Sequence, residues 1–190
     1  GYDPHGRVEP LDPDVPGDAL RAEHIVVLCG GSLASNADLR QTERGWEIQG
    51  DPTEAAFLVA ERKLGAAERR MRRFTRVGEI PFTSERKMMS TIEVDHEHGD
   101  EHVLVAKGAP DVLLQRCTHV RRGMEVLPLD DAWRSRILQG VEALTDAALR
   151  TLGVAYRPLA PEEHGKADPS LEHDLIYVGT VGIIYPPREE

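Results

Sequence analysis

The segment 80–90 carries an aromatic side chain five residues before a lysine, in a polar stretch between two apolar runs. Phe82 is followed there by Arg86 and Lys87. A flat ring close to two cations suits a nucleotide, because the ring can stack on the base while the cations attract the phosphates. The alternative is a core phenylalanine beside a solvated bend, and the segment taken alone favours that alternative.

A second candidate lies at the end of another apolar run, where Lys107 is followed by Gly108 and Ala109. A charge at the end of a strand is costly unless it is paired or exposed. The two small residues let a ligand approach the backbone, and a helix predicted to begin near Pro110 favours an anion. These residues alone predict phosphate at the helix start. The alternative is a tight turn whose lysine extends into solvent.

The third candidate is a well-specified helix start at residues 50–56. Asp51 can cap the helix, Pro52 takes its first position, and Glu54 lies where it can bond back to the N–H of the cap. Such a capping box contributes about 1 kcal/mol and is the favoured interpretation. The functional alternative is that Thr53 and Glu54 present their side chains to a ligand.

Arg150 is the fourth candidate, predicted at the end of a helix and just before a strand that begins at Leu152. A cation there complements the helix dipole and needs no ligand.

Histidines and acids cluster in one predicted turn and offer a different function. His96, His98 and His102, with Asp95 and Asp100, have spacings that suit a divalent metal at a hairpin tip. A hydrated turn is the favoured alternative, because no dedicated fourth-ligand pattern is visible.

Composition narrows the possible classes. The chain has 190 residues, 40% of them hydrophobic and 29% charged, which suits a globular domain with its own core. A formal charge of −10 argues against a general nucleic-acid binder. Cys29 and Cys117 are too few for a disulfide framework and form no CxxC motif for zinc. The longest uncharged run, residues 175–187, contains glycines and ends in two prolines, so no membrane-spanning helix is expected.

Several common motifs are missing from the sequence. Neither GxxxxGKS/T nor GxGxxG occurs, so neither standard phosphate-binding loop is expected, and GxSxG is also absent. No signal peptide is recognisable. The chain begins with Gly1-Tyr2, and we expect it to be a piece of a longer protein.

Caps, chain breakers and hydrophobic periodicity predict both helices and short strands. The predicted helices cover residues 19–29 (capped by Asp18, ended by Gly30-Gly31), 52 to about 65, 110–116, and a periodic stretch that starts at Asp130 or Asp131. The predicted strands cover residues 77–82, 88–94, 102–106, 152–156 and 175–185, with a turn at 95–100, a weak hairpin at 117–127, and loops at 35–48 and 158–173. This mixture predicts an α+β fold with an antiparallel twisted β-sheet and helices packed on its faces.

Taken together, the candidate segments match one family in both residues and order. The matching motifs are GDPTEAA, PFTSERKMMS, KGAPDVLLQRC, LRTLGVAYR and VGIIYPPREE, which span residues 50–190. The chain resembles the nucleotide-binding domain of P-type cation-transporting ATPases, in the calcium-ATPase-like branch, and we expect a bacterial member.

The resemblance implies a role for each motif position, and it places the phosphates elsewhere than at the helix start that follows Lys107. Adenine is expected to stack on Phe82, with Glu54 at its amino group and Thr53 beside it. Lys107 is expected deep in the pocket near the base, above a floor of Gly108 and Ala109. The phosphates are expected beside Lys87 and Arg150, and Leu152 adds apolar lining.

The resemblance also implies what the chain does and what it lacks. ATP, as Mg-ATP, would bind without a metal held by the protein itself, and its γ-phosphate would pass to an aspartate in a DKTGT motif. That motif is absent here, so the chain is expected to bind nucleotide without turnover and to contain no catalytic residue. A stand-alone ATP-using enzyme is the remaining alternative, without an evident nucleophile or magnesium-binding carboxylate set beside Lys87.

The implied organisation has three parts. Residues 1–18 form an extended connector from the phosphorylation domain, residues 19–184 the nucleotide-binding domain, and residues 185–190 a hinge back to the phosphorylation domain. Tyr185 stands where the family normally has aspartate. The expected partners are ATP and the phosphorylation and actuator domains of the same polypeptide, with no nucleic acid. The expected location is the cytoplasmic side of the cell membrane, without entry into it.

Overall fold

A computed structural model describes residues 3–9 and 17–184 of the chain. The elements, in chain order, are α1 (Gly17–Leu33), β1 (Asp38–Thr42), β2 (Gly45–Gln49), α2 (Pro52–Lys63), α3 (Ala67–Arg73), β3 (Phe74–Thr83), β4 (Met88–Asp95), β5 (Glu101–Gly108), α4 (Pro110–Gln115), β6 (Cys117–Arg122), β7 (Glu125–Pro128), α5 (Asp131–Asp146), β8 (Arg150–Pro158) and β9 (Leu175–Ile183). Short 3-10 turns at Pro161–Glu163 and Pro169–Leu171 lie between the last two strands.

Seven of these strands form one sheet in the order β3-β4-β5-β8-β9-β6-β7. Neighbouring strands run antiparallel except β6 and β9, which pair in parallel. The predicted α+β class is therefore confirmed, and the sheet is mixed through that one parallel pair. The predicted hairpins at residues 95–100 and 117–127 are both present.

Each face of the large sheet carries its own apolar cluster. On one face, Leu113 and Leu114 of α4 pack with Leu104 and Ala155, and Trp133 of α5 joins them. On the other face, α1 and α2 pack against Val154 through a second cluster, formed by Val27, Leu28, Phe57 and Leu64. Because successive strand residues point to opposite faces, Val154 and Ala155 belong to different layers.

Helix α1 is longer than predicted because Gly30-Gly31 lies inside it and does not end it. A Cβ atom on Gly31 would lie 2.0 Å from Cδ1 of Phe57, and one on Gly30 would lie 2.7 Å from Cγ1 of Val154. These glycines therefore let α1 approach α2 and the sheet closely. Asp18 is not the cap but a residue of the first turn, since α1 begins at Gly17.

The prediction of a loop at residues 35–48 is wrong, because this stretch contains the antiparallel hairpin β1–β2. Leu39 of this hairpin is buried against Leu58 and Val59 of α2, with Trp46 packed beside them. Its strands are short and mostly polar, so alternation of apolar residues could not reveal them.

Helix α2 begins as predicted but its cap works differently. Oδ1 of Asp51 accepts hydrogen bonds from the backbone amides of Thr53 at 2.7 Å and Glu54 at 3.3 Å. The Glu54 carboxylate points elsewhere, so the predicted reciprocal bond to the cap is not made. Helix α3 follows directly and was not predicted; it is tied to α2 by the ion pair of Arg70 and the buried Glu61, 2.6 Å between Nε and Oε1.

Helix α5 is capped by Asp130, whose Oδ1 accepts from the amide of Trp133 at 2.8 Å. It ends at Asp146, so Arg150 does not lie at its C-terminus as predicted but opens strand β8. No helix among residues 3–9 and 17–184 is long and apolar enough to cross a membrane.

The three-part organisation stays a prediction. Helix α1 begins at Gly17, so the last two residues of the expected connector are helical. The expected hinge at 185–190, with Tyr185, lies outside the described residues.

Candidate functional site

Phe82 and Lys107 lie in one row across the sheet. Ile80 pairs with Ser90 and Thr83 with Met88, so the two residues between them bulge opposite Met89. Met89 in turn pairs with Lys107. Two strand spacings of about 4.8 Å therefore separate the backbones of Phe82 and Lys107. The Phe82 side chain is 59% exposed, which excludes the alternative of a core phenylalanine.

Lys107 is buried and paired, with only 4% of the residue exposed. Its Nζ lies 3.1 Å from Oε1 of Glu54 and 3.5 Å from the carbonyl oxygen of Gly31. It also lies 5.2 Å from the centre of the Phe57 ring. Burial lowers the pKa of Lys107, against the opposing pull of the Glu54 carboxylate. The alternative of a lysine that extends into solvent is therefore wrong.

Glu54 connects three elements around that ammonium group. One oxygen binds Lys107 on β5, and the other, Oε2, accepts from the backbone amide of Asn36 at 3.1 Å, just after α1. The buried cation holds this carboxylate more strongly than a helix-cap amide would. Beside it, Thr53 is 4% exposed and its Oγ1 has no hydrogen-bond partner among the described residues.

Gly108 and Ala109 contact the turn that carries Lys87. The amide of Ala109 donates to the carbonyl oxygen of Lys87 at 3.0 Å. A Cβ atom on Gly108 would lie 2.5 Å from that oxygen and 2.6 Å from Cβ of Met88, so only glycine permits this approach. Lys87 has a φ of 54° and its side chain is exposed.

Leu152 and Arg150 continue the same surface along β8. Lys107 pairs with Val154 and Gly108 with Gly153, so Leu152 and Arg150 lie beyond the end of β5. By alternation they share the face of Val154, and Leu152 packs against the cluster beneath α1 and α2.

Arg150 also acts on the cap of α2. Burial alone would raise the pKa of Asp51, but hydrogen bonds from Thr53 and Glu54 and the charge of Arg150 lower it instead. The exposed guanidinium of Arg150 is thus electrostatically coupled to the helix start that carries Thr53 and Glu54.

All nine predicted residues therefore lie at one end of the sheet, on α2, β5, β8 and the β3–β4 turn. Sequence reasoning missed three others around the Lys107–Glu54 pair: Gly31 and Phe57 lie beside Lys107, and Asn36 binds Glu54. Gly31 was interpreted as a helix end and Asn36 as part of a loop. No local pattern connects them to Lys107; the packing of α1 does.

The histidine turn does not form a comparable cluster. Nδ1 of His96 lies 2.5 Å from Oδ1 of Asp100, and its Nε2 lies 2.8 Å from Oγ1 of Thr75. His98 instead contacts Asp95. His102 is stacked on His164, with 3.7 Å between ring centres. In the part of the chain that the structure describes, no group of three or more His, Cys, Asp or Glu residues is placed to hold a metal ion.

A separate hollow of about 360 Å³ lies beside Trp46 on the β1–β2 hairpin. It is lined by Asp3, His5, Gln41 and Gly45, and none of the nine predicted residues borders it. It contains no buried charged group, so its chemistry is unlike that of the Lys107 site.

Comparisons with known proteins agree with the predicted family. A family model described as P-type ATPase, cytoplasmic domain N, matches residues 25–190. The calcium-transporting ATPase of Bacillus subtilis is 32% identical over 191 residues, which cover 100% of this chain and 21% of that protein. Calcium-transporting ATPase 1 of Bacillus cereus is 36% identical over 145 residues, which cover 74% of this chain and 15% of that protein.

A cyanobacterial relative gives the same result. Cation-transporting ATPase pma1 of Synechocystis is 32% identical over 201 residues, which cover 100% of this chain and 21% of that protein. The chain thus spans only 15% to 21% of the length of these curated relatives. The family model covers most of the chain, and the predicted resemblance is confirmed: the chain belongs to the cytoplasmic N-domain family of P-type ATPases.

Proposed function

We propose that this domain binds ATP by its adenine ring and leaves the γ-phosphate free to reach an aspartate in another domain of the same polypeptide. The observation that carries the proposal is the ion pair of the buried Lys107 and the partly buried Glu54, 3.1 Å apart, two strands from an exposed Phe82. Exposed aromatic rings beside buried, paired charges are typical of ligand sites.

The polar groups around Lys107 complement a purine. A purine offers an amino donor and ring-nitrogen acceptors on one edge, and a flat apolar face. The Glu54 carboxylate can accept from the amino group and the Lys107 ammonium can donate to a ring nitrogen, with Thr53 beside Glu54 on the same helix turn. Phe82 supplies a stacking surface, and Gly108 and Ala109 let the Lys87 turn pack closely against the end of β5.

The phosphate end of the proposed site is open. Lys87 and Arg150 are both exposed, at the end of the sheet beyond Lys107. The Ala109 amide is already bonded to Lys87, so this donor at the start of α4 is not available to an anion. Phosphates held only by exposed cations remain accessible to another domain, whereas a closed loop would retain them.

This geometry predicts modest affinity. A stacked base contributes about 1–3 kcal/mol, and exposed cations add little in physiological salt. We therefore expect a dissociation constant between about 0.1 and a few millimolar. Magnesium would arrive with the nucleotide, coordinated by its phosphates.

For the whole protein we propose an ATP-driven cation pump. The names of its relatives, two of them calcium-transporting ATPases, support calcium or another cation as cargo. The domain would lie on the cytoplasmic side of the membrane without entering it, and its partners would be the phosphorylation and actuator domains of the same polypeptide. No nucleic-acid partner is proposed.

The test is an NMR titration of the 190-residue chain with ATP and with AMP. Both ligands should shift the amide resonances of Thr53, Glu54, Phe82, Lys107 and Gly108, because both carry adenine. ATP should additionally shift Lys87 and Arg150. Shifts confined to the Trp46 hollow, or nanomolar binding by calorimetry, would contradict the proposal.

A further inference from the structure

The turn that carries Phe82 and Lys87 is held by two backbone hydrogen bonds: the Lys87 amide donates to the carbonyl oxygen of Thr83 at 2.8 Å, and the Lys87 carbonyl oxygen accepts from the Ala109 amide at 3.0 Å. Residues 81–85 and Lys87 are exposed, and Arg86 is the one member of this segment that is not. The register shift between Ile80 and Thr83 also interrupts the ladder that would otherwise hold the strand end. Beyond these backbone bonds, the position of the segment depends on what Arg86 contacts.

The guanidinium of Arg86 binds both ends of the segment. Its Nη2 donates to the carbonyl oxygen of Pro81 at 3.0 Å and to that of Met88 at 3.1 Å. Pro81 immediately precedes Phe82, and Met88 immediately follows Lys87. The Arg86 guanidinium thus binds the backbone just before Phe82 and just after Lys87, the two residues proposed to bind adenine and phosphate.

The same guanidinium is held from the other side by a buried carboxylate. Nε of Arg86 lies 3.1 Å from Oε2 of Glu172, and Nη2 lies 3.2 Å from Oε1. The Glu172 side chain is 0% exposed and also accepts from Oγ of Ser90 on β4 at 2.8 Å. A fork of this kind fixes orientation as well as distance.

Glu172 itself is fixed to the body of the domain. Its backbone carbonyl accepts from Nη1 of Arg116, at the end of α4, at 3.1 Å. The amide of Leu175, at the start of β9, donates to the carbonyl of Arg116 at 2.9 Å. The anchor therefore rests on α4 and β9, and the exposed turn is attached to it through Arg86.

We propose that Arg86 and Glu172 are positioning residues for the nucleotide site: their ion pair holds the 81–88 segment so that Phe82 and Lys87 lie beside the Lys107–Glu54 pair. This inference rests on the proposed function, because it assigns these residues to the same site. Neither residue contacts the nucleotide in this scheme. Both act by reducing the ordering that binding would otherwise require.

The test compares nucleotide affinity in the 190-residue chain with and without the pair. Glu172→Gln keeps the shape but turns an amide N–H toward Arg86, and Arg86→Lys keeps the charge but loses the fork. Each variant should bind ATP and adenosine about tenfold more weakly, with similar losses for both ligands because the stacking surface is displaced. Circular dichroism and thermal melting identify the temperatures at which every variant is folded, and the affinities are compared at those temperatures.

A matched control lies at the far end of the same hairpin. Arg73 forms a fork with Asp95, with 2.7 Å and 2.6 Å between their nitrogen and oxygen atoms. Asp95→Asn breaks that fork about seven residues, or about 24 Å, from the turn. It should leave both affinities within about twofold of the unmodified chain, since sites this far apart with no shared partners are not expected to couple.

The outcomes separate this inference from the proposed function. If the unmodified chain does not bind ATP, or Phe82→Ala binds as well as it does, the proposed function fails and the inference with it. If Phe82→Ala weakens binding but Glu172→Gln and Arg86→Lys do not, the inference alone is overturned. An equal loss in Asp95→Asn would also overturn it, since general loosening would then explain the effect.

A further variant covers the case in which a lone buried charge prevents folding. The double change Arg86→Met with Glu172→Met removes both charges together and keeps most of the volume, a replacement that buried ion pairs often tolerate. It should fold and still bind both ligands more weakly. Binding equal to that of the unmodified chain would overturn the inference.

Discussion

The buried ammonium of Lys107 has to be paired inside the fold, and the same group is proposed to bind the adenine base. Burial of its ammonium group is unfavourable, and the Glu54 carboxylate and the Gly31 carbonyl offset that penalty. The pair keeps hydrogen-bonding capacity that it does not use internally, since each carboxylate oxygen accepts more than one bond. A site of this kind is ready for a polar ligand before the ligand arrives.

Phe82→Ala tests the stacking surface. Removal of the ring should weaken ATP and adenosine alike, by about 5- to 150-fold, because both lose a stacking interaction of about 1–3 kcal/mol. The matched control is Val77→Ala on the same strand, which removes another exposed side chain (55% against 59% for Phe82). Fluorescence displacement or NMR titration measures both, and an equal effect of the two changes would exclude a special role for Phe82.

Lys87→Ala tests the phosphate role. Lys87→Ala should weaken ATP binding by a few-fold, about 0.5–1 kcal/mol, because an exposed ammonium beside the phosphates is lost. Adenosine has no phosphates, so its binding should not change. The preference should shrink as salt increases. Because Lys87 has a left-handed φ, Lys87→Asn should give the same result with less backbone strain. Lys166→Ala, another exposed lysine, is the control; equal losses for ATP and adenosine in Lys87→Ala would refute the assignment.

At the scale of elements, the contact between α1 and α2 brings the site together. Gly31 lies where the Phe57 ring of α2 meets α1, and its carbonyl oxygen faces Lys107. The close approach of these helices is therefore both a packing feature of the core and a condition for the lysine's environment.

Gly31→Ala should destabilise the fold. The added methyl group would lie 2.0 Å from the Phe57 ring, and overpacking of this kind costs about 1–3 kcal/mol. Gly140→Ala in α5 is the control, because nothing lies within 4 Å of its added Cβ. That change should instead stabilise by about 0.5–1 kcal/mol, through helix propensity. Urea unfolding measures both; an unaltered or raised stability of Gly31→Ala would show that the helices separate easily.

At the scale of the whole molecule, the long segment between β8 and β9 is secured by ion pairs. Arg157 of β8 donates to both oxygens of Glu163, at 2.9 Å and 2.7 Å, and its Nη2 also donates to the carbonyl oxygen of Leu171 at 3.0 Å. Residue 171 directly precedes Glu172, so this segment and the anchor of the nucleotide turn are adjacent.

Glu163 should make stability depend on pH in the acid range. Hydrogen bonds from Arg157 and from the Ala160 amide lower the pKa of Glu163 from 4.5 to about 2. A carboxyl group with a lowered pKa in the folded state stabilises that state above its unfolded pKa, and the contribution is lost as pH falls through the folded value. The stabilisation is therefore complete above pH 4.5 and disappears toward about pH 2.

Urea unfolding of Glu163→Gln across this range measures that contribution. The variant should be less stable than the unmodified chain at pH 6, and the difference should shrink between pH 4.5 and about 2. Glu162→Gln, at an exposed neighbouring position, is the control and should not change the pH profile. A constant difference across the range would exclude the ion pair as its cause.

The isolated chain should bind ATP without releasing phosphate. The sequence has no DKTGT motif to accept the γ-phosphate, so the aspartyl phosphate that the family resemblance implies cannot form on this chain. A steady-state phosphate assay tests this, with Phe82→Ala as a control for contaminating activity. Phosphate release that disappears in Phe82→Ala would instead favour a complete ATP-using enzyme.

Local patterns in the sequence were enough to predict most of the helices and strands and the family. Asp51 and Asp130 specify two helix starts through side-chain oxygens that satisfy free amides, and the polar turns with glycine specify the hairpins; both depend on residues only a few positions apart. It did not reveal the polar hairpin β1–β2 or helix α3, and it misplaced Gly30-Gly31 and Arg150, because their conformations depend on what packs against them.

The assembly of the site depends on contacts between residues that are far apart in the sequence. Glu54 pairs with Lys107 across 53 residues, and Arg86 with Glu172 across 86. No periodicity or capping rule reaches over such distances, since these partners meet only where the sheet order places β5 beside α2 and the β3–β4 turn beside the segment before β9. The sequence identifies the residue types that can bind a ligand, and the packing of the helices on the sheet determines which of them face each other.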